Sequence, residues 1–170
     1  MNARFSTIGL VLSIGAAQAS FAIDVPQTRE AFVQAIASGR GANIEILNVN
    51  QTLDTVYAVL EERAGACLDV EVPHIANVGY VEKSSTDYNP TVRRIAADRA
   101  EFTLQIAYTP RGVGDAPPPG GLFMLAADLQ SIDGVRTEIV LYKPKIGVKT
   151  IASSLMHWFA GDPAPCPKLR

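Results

Sequence analysis

The chain has 170 residues, of which 15 are basic and 17 acidic, and carries a formal net charge of −2. That length suits one domain with a sizeable core. Nearly balanced, dispersed charge gives no electrostatic basis for a nucleic-acid partner or an anionic membrane surface.

The opening MNARFSTIGLVLSIGAAQASFA carries one charge, Arg4, then an apolar stretch over 5–17 and small residues around Ala19 and Ala22. This is the three-part layout of a secretory signal peptide. The apolar stretch is shorter than the roughly 20 residues that a spanning helix needs. Cleavage fits after Ala19 or Ala22, and Ala22 is preferred. The expectation is therefore a signal peptide over 1–22 and a single exported α+β domain over 23–170, periplasmic or secreted. No later segment is apolar enough to span a membrane.

Segment 24–38, DVPQTREAFVQAIAS, predicts a short helix, with Asp24 and Gln27 at capping-box spacing and Phe32, Val33 and Ile36 on one face. The SGRG that follows predicts a loop. A strand is expected over 43–49. In NQTLDTVYAVLEERAG, over 50–65, Leu53, Val56, Tyr57, Leu60 and Ala64 repeat at the helical period. Asn50 or Thr52 would cap this helix, Asp54 suits its first turn, and Gly65 is the expected stop. Cys67 then heads a strand, CLDVEV.

From 75 to 142 the pattern turns to period two. The expected strands are IANVGYVEK, TVRRIAA, AEFTLQIAYT, LFMLAADLQ and VRTEIVLYK. In AEFTLQIAYT, Phe102, Leu104, Ile106 and Tyr108 alternate with Glu101, Thr103, Gln105 and Ala107, as an antiparallel sheet wet on one face allows. The connectors are SSTDYNP over 84–90, a tight turn at Asp98–Arg99, a Pro/Gly-rich loop over 110–121 and a turn at 132–134. The last element, 147–161, is an amphipathic helix with Val148, Ile151, Ala152, Leu155 and Phe159 on its apolar face and His157 opposite. Gly161 ends it and Pro163 blocks its restart.

Two cysteines are present, Cys67 and Cys166. In an oxidising compartment an even pair reads as a disulfide. The prolines around Cys166 hold it at fixed reach from the helix end, so the tail 162–170 is expected to be tied back to Cys67. Closing so long a loop stabilises by on the order of 4–5 kcal/mol in the loop-closure account.

The order is one short helix, then strand, helix, a run of antiparallel strands and a long closing helix. It is similar, over about 43–161, to the helix-grip layout of START and Bet v 1-like domains. That resemblance implies a curved sheet of about five to seven strands packed against the C-terminal helix, and an enclosed apolar ligand.

Few residues carry chemistry. Asp69, Glu71 and His74 are candidate metal ligands, since two carboxylates on one strand face lie about 6.5–7 Å apart along the chain. Three near neighbours make an incomplete shell, so a solvated strand face is the preferred account of them and no metal is assigned. A disulfide would remove both thiols from nucleophilic chemistry. No nucleophile elbow, zincin, Walker or dinucleotide fingerprint occurs, so no catalytic residue and no cofactor are assigned and the reading leans away from an enzyme. Arg93 and Arg94 face opposite sides of a strand; one of them could meet an acidic head group, but a solvated or edge-guarding charge is the preferred role. The candidate ligand-binding set is Arg94, Phe102, Leu104, Ile106, Tyr108, Ile151, Leu155 and Phe159. The same side chains also fit a filled core, the default in close-packed interiors.

Two functions follow as expectations. One is an exported domain holding a small apolar or lipid-like ligand between sheet and C-terminal helix. The other is a ligand-free cell-envelope domain that binds another protein. An unrecognised hydrolase is a third.

Overall fold

The computed structural model describes residues 25–39, 42–77, 81–109 and 117–169. The elements run α1 (Arg29–Ser38), β1 (Ala42–Val49), α2 (Leu53–Leu68), β2 (Val70–Asn77), β3 (Val81–Ala96), β4 (Arg99–Thr109), β5 (Leu122–Ser131), β6 (Thr137–Pro144) and α3 (Lys149–Phe159). The strands form one antiparallel sheet in the order β1-β6-β5-β4-β3-β2. The chain is thus α+β.

Helix α1 begins later than the capping-box reading places it. Thr28 is extended, and its hydroxyl accepts a hydrogen bond from the Ala31 amide at 3.1 Å. Gln27 instead donates to the Val25 carbonyl, and Asp24 lies outside the described residues. Helix α2 starts at the expected cap, Thr52, whose hydroxyl accepts from the Thr55 amide at 3.2 Å. Its end differs from expectation. The helix continues through Gly65 to Leu68, which places Cys67 in the last turn rather than at the head of a strand. Ala64, Cys67 and Leu68 are all buried, and that burial outweighs the roughly 1 kcal/mol that a helical glycine costs.

The polar stretch 84–90 is not a connector. It lies inside β3, a strand of 16 residues. Pro90 is tolerated because β2 stops pairing at Val70↔Tyr88, so among the described residues one flank of β3 has no strand partner beyond Tyr88. The expected strand IANVGYVEK is divided between β2 and β3, with 78–80 between them outside the described residues. The turn expected at Asp98–Arg99 falls one residue earlier, at 97–98, with Arg99 already in β4, and the one at 132–134 is present. Of the Pro/Gly-rich loop, 110–116 lie outside the described residues. Register shifts at Arg94/Ala96 and at Leu104/Gln105 mark bulges that locally bend β3–β5.

Strand alternation sorts the sheet into two faces. Phe102, Leu104, Ile106, Leu125, Leu129, Ile139 and Leu141 share one core with α2 and α3. Glu101, Thr103 and Gln105 face the other way, and α1 packs on that side against β1, β5 and β6. There Phe32 stacks on Phe123 at 5.9 Å.

The C-terminal helix is short, not long. It has 11 residues, beginning after Gly147 and Val148 and ending before a turn in which Gly161 has φ +79°. A Cβ at Gly161 would come within 2.3 Å of the Gln51 side chain. Beyond it, Trp158 Nε1 donates to the Ala164 carbonyl at 3.3 Å, and the tail runs on without regular secondary structure. Cys166 reaches Cys67 with Cα atoms 5.1 Å apart, forming the disulfide that spans 99 positions. Among the described residues no helix is long and apolar enough to cross a membrane.

Candidate functional site

The middle of the sheet–helix interface is sealed. Phe102, Leu104, Leu155 and Phe159 are each 0% exposed, so no water-sized space touches them. These residues of the candidate ligand set are core side chains. Ile106 and Ile151 are almost as deeply buried, while Tyr108 lies half exposed toward the far end of β4. Arg94 is on the inner face, as its alternation with Arg93 requires. It pairs with Asp54, lies 5.1 Å over the Tyr57 ring and donates to the Ala97 carbonyl at 3.1 Å. Helix α2 therefore occupies this guanidinium.

Space opens at one end of the interface. A hollow of about 380 Å³ lies where α3 begins, lined by Tyr88, Gly147, Thr150, Ile151, Lys168 and Leu169. Three parts of the chain meet there. Strand β3 contributes Tyr88, which pairs opposite Ile106 and so points to the core side. The start of α3 contributes Gly147, Thr150 and Ile151. The tail contributes Lys168 and Leu169, brought within reach by the Cys67–Cys166 link two residues earlier. Tyr88 and Ile151, both buried, and half-buried Leu169 line its inner part and supply apolar surface, the smaller share of the hollow's surface. The rim carries the Thr150 hydroxyl and the Lys168 ammonium, and no carboxylate is among the described lining residues.

Only Ile151 of the candidate set lines this hollow. Tyr88 lies in the stretch read as a connector, and Lys168 and Leu169 give no periodic signal in the sequence. The disulfide was the one legible pointer, because it fixes the tail near the end of α2.

A second polar cluster, on the outer face, has no sequence signal. Arg29 pairs with Asp128 and with Glu101 (3.4 Å) and donates to the Ala127 carbonyl at 2.9 Å. Glu101 also accepts from Arg93 at 2.8 Å, which holds the Arg93 guanidinium above its ordinary pKa. Tyr142 donates to Asp128 at 3.1 Å. Burial, then the Asp128 charge, raises the Tyr142 phenol above its usual value. A niche of about 200 Å³ borders this network. Its charges compensate one another, and its members join α1 to β3, β4, β5 and β6, so its chemistry is that of a clamp.

The third feature is an open groove of about 860 Å³ between α3 and the proline-rich tail. His157 Nδ1 lies 3.1 Å from Asp162, and Ser153 and Ser154 line the same groove. Among the described residues neither serine hydrogen-bonds His157, so the nucleophile–base contact of a hydrolase is not formed. The His157–Asp162 pair closes the last turn of α3, where Asp162 N also donates to the His157 carbonyl at 2.8 Å.

The structure does not bring the metal candidates together. Asp69 is the C-cap of α2, Glu71 sits opposite Asp87, and His74 sits on the other face of β2 opposite Ser84, within 2.9 Å of the Thr86 hydroxyl. Among the described residues no group of three His, Cys, Asp or Glu side chains could hold a metal ion. No protein-family model matches the chain, and a search of curated proteins finds no match either.

Proposed function

We propose that this chain is an exported, disulfide-tied binding domain that holds a small molecule in the hollow at the start of α3. The observation that carries the reading is that hollow itself: about 380 Å³, open to solvent, between the sheet at Tyr88 and the helix at Ile151. Its size is at the lower end of the roughly 300–1,000 Å³ typical of ligand sites. In the helix-grip layout that the element order resembles, an apolar ligand is often enclosed between the curved sheet and the closing helix. Here the sealed middle of that interface moves the ligand to its open end. Export is supported by the leading segment over 1–22 and by the disulfide.

Native mass spectrometry of the protein recovered from an exporting host tests this reading. The expected result is an N-terminus at Ile23 and a small-molecule adduct that disappears in Thr150→Trp, which fills the hollow. A bare wild-type mass, with no thermal shift from any member of a small-molecule set, overturns it.

A second reading, docking of an envelope protein, is favoured by Ile75 and Tyr108, which are 70% and 50% exposed on the far ends of β2 and β4.

A further inference from the structure

We infer that the hollow at the start of α3 takes a small organic acid with a short apolar portion, an inference that rests on the binding reading above. The chemistry of the lining sets the class. Lys168 is the one charged side chain among the described lining residues, none of which is a carboxylate. No ion pair holds Lys168 elsewhere among the described residues. Thr150, on the same rim, offers a hydroxyl donor. An anionic oxygen between these two groups gains a charge-assisted hydrogen bond and a neutral one. A cation there would meet only like charge.

The opposite wall sets the rest of the molecule. Ile151 is 5% exposed, Tyr88 is 5% exposed, and Leu169 packs against the core cluster. An alkyl or aryl portion lying on these side chains leaves water without exposing any core residue, which an inorganic anion could not do. The ligand is therefore amphipathic, with its acidic end at the rim.

The tail's part in the site is covalent in origin. Lys168 and Leu169 are separated from Cys166 by one residue, Pro167, which is buried. The disulfide thus builds one wall of the hollow as well as closing the chain.

The test is a chemical-shift titration of the disulfide-bonded protein with sodium octanoate, octylamine hydrochloride and octanol at neutral pH. Octanoate is expected to shift the Thr150, Ile151 and Leu169 amides saturably. Octylamine should bind more weakly by about fivefold or more, and Lys168→Gln should weaken octanoate by about fivefold while leaving octanol unchanged. Lys168 is exposed, so the variant keeps the fold. Equal binding of all three probes, or an unchanged octanoate affinity in Lys168→Gln, overturns the acid class and leaves the hollow standing as a site. Failure of all three probes to move those amides removes the hollow itself.

Discussion

On the inner face of the sheet, α2 and α3 bury Leu60, Leu68, Leu155, Trp158 and Phe159 against Phe102, Leu104, Leu125, Ile139 and Leu141. On the outer face α1 buries one of its own side chains, Phe32, and reaches the strands through Arg29. The inner face is closed by apolar area, which is non-directional and is not weakened by charge screening. The outer face is closed by a chain of charged and polar contacts, Arg93–Glu101–Arg29–Asp128–Tyr142, each of which needs its partner in place. The difference teaches that one sheet can be covered on its two sides by different physics, and that the two sides should fail differently.

Breaking the covalent tie should have the largest effect. Replacing Cys67 and Cys166 by serine is expected to lower stability by on the order of 4–5 kcal/mol in the loop-closure account, read as a shift in the denaturation midpoint. A midpoint unchanged between the variant and the oxidised parent would remove the clasp from the inner face's stability.

Next comes the inner core. Phe102→Ala, at a side chain with 0% exposure, should cost about 3–5 kcal/mol, the same at low and high salt. The outer clamp should be weaker and should depend on salt. Arg29→Ala leaves Asp128 without its guanidinium and is expected to cost about 1–3 kcal/mol at low salt, and less as salt rises. Equal salt dependence in the two variants would erase the distinction between the faces.

The smallest effect concerns pH. The Tyr142 phenol titrates above the ordinary tyrosine value of 10.0 in the folded chain. Raising pH past that value ionises the unfolded chain first, so stability that is complete below it is lost as pH climbs through the folded pKa. In Tyr142→Phe that alkaline loss should shrink, while stability near neutrality falls by about 1 kcal/mol with the lost hydrogen bond to Asp128. Denaturation curves taken across the alkaline range check this, and parallel profiles for parent and variant would contradict it.

Much of the inner face was legible in the amino-acid order, and almost none of the outer face was. Phe102, Leu104 and Ile106 declare their face by alternation, and Val56, Leu60 and Ala64 by the helical period, because regular elements repeat their buried positions. Arg29 and Asp128 meet across 99 positions with no period to announce them. The hollow was hidden for the same reason: Tyr88, Ile151 and Leu169 come from three separate elements. Where local rules failed, at Gly65 inside α2 and at Pro90 inside β3, burial or an unpaired strand flank overrode a residue's usual meaning.

The sequence by itself determined the α+β alternation, the apolar faces and the pairing of Cys67 with Cys166, since periodicity and an even cysteine count act locally or admit one partner. Only the tertiary structure decided that the middle of the sheet–helix interface is filled, that the open space lies at the start of α3, and that α1 is held by charge. Those outcomes depend on how well distant side chains fit together, and complementarity of shape and charge between remote segments leaves no repeat in the order of residues.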